Sequence, residues 1–139
     1  MQQTIGLFNQ TSYKLDTKAL LLAIKQLVKT LKMQNWELSI TFVTKPVSKS
    51  INSKYLKHHY ATDCLTFDLS EHKSAIGDIY ICPAIAKSQA KTFKVSFDNE
   101  IKRLIIHTLL HLKGYDDTNP EAKKVMFAKQ EMLLKGLKG

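Results

Sequence analysis

The chain has 139 residues, of which 44% are hydrophobic, so it can bury a core as one domain and is too apolar for a disordered chain. Its two cysteines, Cys64 and Cys82, fit no CxxC or zinc-ribbon spacing, and we interpret them as small buried hydrophobes in a reducing compartment. No basic region followed by an apolar run opens the sequence, and the longest apolar run, residues 19–24, cannot span a membrane. We therefore predict a cytoplasmic protein with no membrane partner.

The net charge is +9, from 21 Lys+Arg against 12 Asp+Glu, and almost all of the excess is lysine. Two stretches contain lysines and no acidic residue, residues 38–62 and residues 79–97. Clustered lysines of this kind suit a polyanion such as nucleic acid, because each phosphate contact releases counterions. A surface that only keeps the protein soluble is the alternative that charge alone leaves open.

Apolar periodicity and turn residues predict the first elements in chain order. They are a one-sided helix over residues 17–33, a strand over residues 36–42, a lysine-rich irregular stretch over residues 43–62 with a possible short helix around residues 51–56, a strand over residues 64–69, a strand over residues 77–82, and a helix from Pro83 towards residue 91.

A long helix is predicted next, from residues 96–98 to Gly114, which suits the position just after a helix end because it tolerates positive φ. Residues 118–121 then match a capping box that opens the last helix. This order of elements predicts an α/β (α+β) fold in a single domain over residues 1–139, with a small mixed sheet packed against helices.

The segment HTLLHLKGYDD, residues 107–117, has the spacing of a helical metal site. His107 and His111 are four residues apart and would share one face of the long helix. Gly114 permits a sharp turn, which would bring Asp117 back as a third ligand, with Asp116 as its competitor. Two imidazoles and a carboxylate leave one position of a tetrahedral zinc ion open for water. Two histidines that only pack or hydrogen-bond are the simpler alternative, and other divalent ions also bind such ligand sets.

A zinc protease of the HExxH type needs a glutamate directly after the first histidine, as the base that takes a proton from the zinc-bound water. Here that residue is Thr108, whose hydroxyl cannot accept a proton near neutral pH. A phosphodiester of RNA makes a smaller demand, because its own 2′-hydroxyl can act as the nucleophile. The motif therefore makes an amide a hard substrate and leaves an RNA phosphodiester open.

Several blocks of the sequence, in order, resemble the YbeY family of endoribonucleases, also called ribosomal RNA maturation factors. The similarity extends over roughly residues 36–134. The family patterns LNxxYR, PTDVLSF, lGDIxIc and HGxLHLxGYDH correspond here to INSKYLK (residues 51–57), ATDCLTF (residues 61–67), GDIYIC (residues 77–82) and HTLLHLKGYDD (residues 107–117), and EAKKVMFAKQEMLL (residues 121–134) matches the last helix.

The resemblance implies a small α/β fold and single-strand-specific RNA cleavage in ribosomal RNA maturation and ribosome quality control. It also implies one Zn²⁺ or similar ion per chain, with ribosomal RNA or a ribosomal subunit as the partner. His107 and His111 match the first two metal ligands of the family. Asp117 stands where the third histidine usually stands, and oxygen ligation there is chemically sound.

Two positions depart from the family pattern. Leu56 replaces an arginine, and a leucine cannot hold a phosphate, while Thr108 adds bulk where the family has glycine. We expect Lys54, Lys57 or His59 in the adjacent loop to supply RNA contacts instead. These departures keep open a non-catalytic ribosome-associated RNA-binding factor with a structural metal, beside a less favoured metalloprotease.

Overall fold

The computed structural model describes residues 4–137, which form five helices and four strands. In chain order they are β1 (Thr4–Asn9), α1 (Thr17–Thr30), β2 (Glu37–Phe42), α2 (Lys45–Leu56), β3 (Cys64–Asp68), β4 (Ile76–Ile81), α3 (Pro83–Phe93), α4 (Phe97–Leu112) and α5 (Pro120–Gly136). None of the helices within residues 4–137 is both long and apolar enough to cross a membrane.

The four strands form one mixed sheet in the order β1-β2-β4-β3. β1, β2 and β4 are parallel neighbours, and β3 runs antiparallel to β4 at the edge. The two inner strands bury alternate side chains, Leu38, Ile40 and Phe42 in β2 and Ile79 and Ile81 in β4. A small mixed sheet with helices packed on it confirms the predicted fold class.

Helix α4 lies at the centre of the domain and contacts α1, α3, α5, β3 and β4. Its buried residues include the consecutive Leu104, Ile105 and Ile106, which point to different sides of the helix. A helix that is apolar on most sides must be surrounded by other elements, which explains its central place. The Ser96 hydroxyl accepts a hydrogen bond from the Asn99 N–H at 3.0 Å and caps its first turn.

Two elements differ from the sequence prediction. β1 was missed because it is a half-exposed edge strand, and its pairing partner, starting with Thr4 opposite Glu37, is distant in the sequence. α2 extends over twelve residues, where only a short helix around residues 51–56 was expected. Its buried residues, Ser48 and Asn52, are polar, so no apolar stripe marks the helix in the sequence.

The start of α5 also differs from the predicted capping box. Asn119 is the N-cap, and its side-chain oxygen accepts a hydrogen bond from the Ala122 N–H at 2.8 Å. The Thr118 hydroxyl donates instead to the Asp116 carboxylate at 2.9 Å. Because Asp116 competes for this threonine, the helix begins one residue later than the sequence suggests.

Replacing Gly77 with alanine should loosen the packing of α4 on β4. An alanine Cβ at this position would lie 2.5 Å from a methyl carbon of Leu112 and 3.0 Å from one of Leu38, in the buried core. We expect Gly77→Ala to lower the free energy of unfolding in urea by about 1–3 kcal/mol, the usual cost of overpacking. The control is Gly136→Ala, whose Cβ would meet no packed neighbour within 4 Å among the described residues. Equal stability of the two variants would contradict the close packing at Gly77.

Candidate metal centre

The end of α4 places three potential ligands together. Gly114 has a φ of 99°, and two backbone bonds close the helix end, from the Gly114 N–H to the His111 carbonyl and from the Tyr115 N–H to the Leu110 carbonyl, both at 3.0 Å. These two bonds form a Schellman motif, which reverses the chain just after the helix. The reversal brings Asp117 back beside the last turn of α4.

The ligand atoms of His107, His111 and Asp117 all lie within 4.8 Å of one another. The two imidazole Nε2 atoms are 3.1 Å apart, and the nearer Asp117 oxygen is 4.0 Å from the His111 Nε2. Nitrogen ligands of a tetrahedral zinc ion, with bonds of about 2.0 Å, are separated by about 3.3 Å. The two imidazoles therefore have the spacing of two ligands of one ion, and Asp117 lies close enough to be a candidate third ligand.

Burial sets the charge of the site. It lowers the pKa of His111, and the nearby His107 lowers it further, whereas Asp117 opposes the shift. His111 is consequently a neutral imidazole at pH 7, the form that can ligate a metal. Its 4.0 Å approach to Asp117 is not a salt bridge at that pH, because only a protonated histidine would make one.

Gln130 of α5 determines which nitrogen of His107 carries the proton. Its amide nitrogen lies 3.2 Å from a Glu131 oxygen, and its amide oxygen lies 2.9 Å from the His107 Nδ1. An ionised carboxylate can only accept, so the Gln130 amide nitrogen must donate to Glu131 and its oxygen must accept from His107. The His107 proton is thereby placed on Nδ1, which leaves the lone pair of Nε2 directed at His111 and available for a metal.

Arg103 anchors this chain of hydrogen bonds. Its guanidinium donates to both Glu131 oxygens at 2.9 and 2.8 Å, and to a Glu100 oxygen at 2.9 Å. These bonds hold the pKa of Glu131 below its ordinary value, so that Glu131 is ionised and accepts as required. Burial raises the pKa of Glu100, and the bond from Arg103 opposes that rise.

Gln130 and Arg103 were not singled out from the sequence. One local signal was available for the arginine, because residues 103, 107 and 111 are spaced by four and share one face of α4. No comparable signal marks Gln130, which meets His107 only because α5 packs on α4. The contact joins residues 23 positions apart and depends on tertiary structure.

Thr108 does not crowd the ligands, although bulk beside His107 was expected. The residue is fully buried, and its hydroxyl donates to the Ile105 carbonyl at 2.7 Å. One position along an α-helix is a rotation of about 100°, so Thr108 faces the core while His107 faces the ligand group. The substitution is therefore accommodated by packing.

Two cavities border the imidazole of His107. The first, of about 490 Å³, lies between the end of α4 and the first half of α5. The second, of about 340 Å³, lies on the β3 side. Its described lining residues are Leu56, Asp63, Cys64, Leu65, Thr66, Asp68, His107, His111 and Leu112.

Cys64 differs in part from its sequence interpretation. Cys82 is fully buried as expected, whereas Cys64 is only half-buried and lines the second cavity. Both are free thiols. Burial and the neighbouring Asp63 raise the pKa of the Cys64 thiol well above its ordinary value, so that it stays protonated and unreactive near neutral pH.

Comparison with known proteins identifies the family. A family model described as Endoribonuclease YbeY matches residues 6–138. The chain belongs to the YbeY endoribonuclease family. This confirms the resemblance seen in the sequence and, at the level of the family, the prediction of an RNA-cleaving hydrolase.

Individual relatives agree with this assignment. A protein of Chlorobium chlorochromatii named Endoribonuclease YbeY is 35% identical over 135 residues, which cover 97% of this chain and 86% of that protein. One of the same name from Karelsulcia muelleri is 42% identical over 102 residues, which cover 73% of this chain and 72% of that protein. A solution structure from Thermotoga maritima superposes with a TM-score of 0.68 at 28% identity, covering 95% of this chain and 87% of that one.

Leu56, which stands where the family pattern given above has an arginine, lies on the wall of the second cavity. The described residues that line the two cavities do not include Lys54, Lys57 or His59. Lys54 lies over the ring of Tyr55 at 5.3 Å, and the His59 Nδ1 is 2.8 Å from the Ser53 hydroxyl. Lys57 ends α2 with a left-handed φ of 58°. RNA binding by these three residues stays a prediction.

Replacing Gln130 with leucine should weaken metal binding without removing a ligand. The His107 Nδ1–H would lose its acceptor, and the ring would be free to change tautomer and orientation. We expect the affinity for a divalent metal ion, measured by competition with a chromogenic chelator, to fall by about 10–100-fold, as is usual for such partners. The control is Gln26→Leu, because the Gln26 side-chain amide donates to the Gly136 carbonyl at the far end of α5, away from His107. Unchanged affinity in Gln130→Leu would show that His107 needs no such support.

Proposed function

We propose that the chain is a metal-dependent endoribonuclease that cleaves single-stranded RNA, with one Zn²⁺ held by His107, His111 and Asp117. The observation that carries this proposal is the convergence of the three ligand atoms within 4.8 Å, between two cavities that open to solvent. Membership of the YbeY family supports RNA as the substrate.

When bound, an ion with three protein ligands and one open position supplies Lewis acidity to a phosphoryl oxygen. The protein's own residues position the reactants. Gln130 holds the ring of His107, and the Schellman turn at Gly114 holds Asp117. Because the RNA contributes its 2′-hydroxyl as nucleophile, the protein needs a proton acceptor rather than a nucleophile of its own.

Carboxylates on the wall of the second cavity can accept that proton. Asp63 and Asp68 both line it, beside His107 and His111. The Gln89 side-chain amide donates to one Asp63 oxygen at 3.1 Å and fixes the orientation of the carboxylate. Thr108 cannot take this role, since its hydroxyl is buried and donates to a backbone carbonyl.

The cellular role we propose is maturation of ribosomal RNA and ribosome quality control in the cytoplasm. The net charge of +9 supports binding to a ribosomal polyanion. Lys54, Lys57 and His59, at the end of α2 and in the loop after it, would contact the RNA backbone at a distance from the metal.

A non-catalytic RNA-binding factor is the second candidate, and one observation favours it. Leu56 occupies the cavity wall where the family pattern has an arginine, so this wall offers no guanidinium to the phosphate. A metalloprotease has less support, because the residue after His107 faces the core and could not act on bound water.

The ligand role of Asp117 can be tested by substitution. Asp117→His should retain the metal, because an imidazole nitrogen also ligates zinc, whereas Asp117→Ala should lose more than about 100-fold in affinity. Zinc content after dialysis, measured by elemental analysis, reads out both variants. Asp116→Ala is the control, since the Asp116 carboxylate accepts from the Thr118 N–H and hydroxyl in the turn. If Asp116→Ala loses the ion and Asp117→Ala keeps it, the ligand assignment is wrong.

Cleavage of single-stranded ribosomal RNA separates the two candidate functions. We expect the zinc-loaded protein to cut it and His107→Ala to be at least about 100-fold slower, because charge stabilisation at the phosphate would be lost. His72→Ala is the control, since His72 is exposed in a turn near β4. If RNA survives equally with the wild type and with His107→Ala, the protein is a binding factor and not a nuclease.

A further inference from the structure

The first cavity beside His107 is here named the α4–α5 cavity. Its lining includes basic and aromatic residues in addition to the candidate metal ligands. It has a volume of about 490 Å³, within the range of small-molecule sites, which is about 300–1,000 Å³. His107 and Asp117 form one end of it. α5 contributes Lys123, Lys124 and Phe127, whose spacing places them along one side of the helix.

Phe127 forms an exposed aromatic wall of this cavity. The residue is 60% exposed, although it is a large apolar side chain on a helix that packs against the core. It also borders an adjacent cavity of about 290 Å³, together with the 59% exposed Phe93. A contiguous exposed apolar surface of this kind beside a ligand group usually marks a binding site.

The charges around the α4–α5 cavity identify the class of ligand. No hydrogen bond or ion pair to a described residue occupies the ammonium group of Lys123 or Lys124, so both are available to an anion. The second cavity has the opposite character, because Asp63 and Asp68 line it and its described lining residues include no lysine or arginine. A polyanion that reaches the metal centre is therefore favoured on the α5 side.

We propose that the α4–α5 cavity is a nucleotide subsite, in which a nucleobase of single-stranded RNA stacks on Phe127 while Lys123 and Lys124 bind an adjacent phosphate. The inference rests on the proposed function and specifies where the strand lies relative to the metal ligands. An aromatic face beside cationic groups is the arrangement that grips unpaired nucleotides without regard to sequence. A base within a duplex has no free face, so the subsite selects for single strands.

The test measures RNA binding by the full zinc-loaded chain. The probe is a fluorescent single-stranded oligouridylate whose 2′-hydroxyls are methylated, so that the protein cannot cleave it. The comparison ligand is the same strand in a duplex. Phe127→Leu keeps the apolar bulk and removes the aromatic face, whereas Phe127→Tyr keeps both. The matched control is Phe8→Leu, which alters a 53% exposed phenylalanine on the edge strand β1.

For the aromatic wall, we expect Phe127→Leu to weaken binding of the single strand by about 5–100-fold. Phe127→Tyr and Phe8→Leu should bind like the wild type, and the affinity for the duplex should not change with any of these variants. Circular dichroism and thermal unfolding check that each variant is folded. We expect that it is, because each substituted side chain is exposed.

For the lysines, the double variant Lys123→Gln with Lys124→Gln should reduce the slope of log affinity against log salt by about 1.4, since each phosphate contact with a single strand contributes about 0.7. The control is Lys18→Gln with Lys25→Gln on α1, which removes the same net charge from an exposed part of another helix. If the control double variant reduces the slope by the same amount, the effect is one of general charge and the lysine assignment is wrong.

The outcomes separate this inference from the proposed function. If the wild type cleaves single-stranded RNA and Phe127→Leu binds it as tightly as the wild type does, the nuclease stands and the subsite is wrong. The apolar wall is then a contact surface for another protein. If the wild type binds the strand through Phe127 and cuts nothing, the subsite stands and catalysis is wrong. If the wild type neither binds nor cuts single-stranded RNA, both are wrong.

Discussion

The hydrogen bonds of the Arg103 guanidinium are the interaction on which the arrangement of the candidate ligand His107 depends. The guanidinium bonds to both oxygens of Glu131 on α5 and to Glu100, one turn earlier on α4, and so joins the two helices. Glu100 is only 2% exposed, and a carboxylate buried to that extent is costly unless it is paired. Removal of one partner from such a group typically costs about 3–5 kcal/mol, because the remaining charge is left without compensation.

Arg103 also fixes a direction of hydrogen bonding. It keeps Glu131 ionised, an ionised Glu131 can only accept from Gln130, and Gln130 can then only accept from His107. The charge of Glu131 therefore selects the tautomer of His107 through Gln130. A glutamine at position 131 could donate as well as accept, so it would leave the proton of His107 undetermined.

Local sequence was sufficient to predict that the three candidate ligands converge, and insufficient to predict which residues hold them in place. His107, His111, Gly114 and Asp117 lie within eleven residues, and helix geometry with one positive-φ glycine brings them together. Gln130 reaches His107 only through the packing of α5 on α4, which no periodicity of the sequence records.

The difference between local pattern and tertiary contact also explains which elements of the fold were predicted. Strands β2 and β4 bury alternate apolar residues and were recognised, whereas β1 gains its hydrogen bonds from a partner 33 residues later and has little apolar alternation. α2 buries Asn52, whose amide donates to the Tyr60 carbonyl at 2.9 Å and ties the following loop to the helix. Polar burial of that kind stabilises a helix without leaving an apolar stripe.

The leucine at position 56 leaves the wall of the second cavity without a guanidinium. With no cation among the described residues of its lining, the second cavity presents the carboxylates of Asp63 and Asp68 to an approaching phosphate. Unlike charges on the two sides of His107 would orient an anionic strand, because the potential favours the side with Lys123 and Lys124. On the proposed function, the acidic side is then left to proton transfer, for which a carboxylate is suited and an arginine is not.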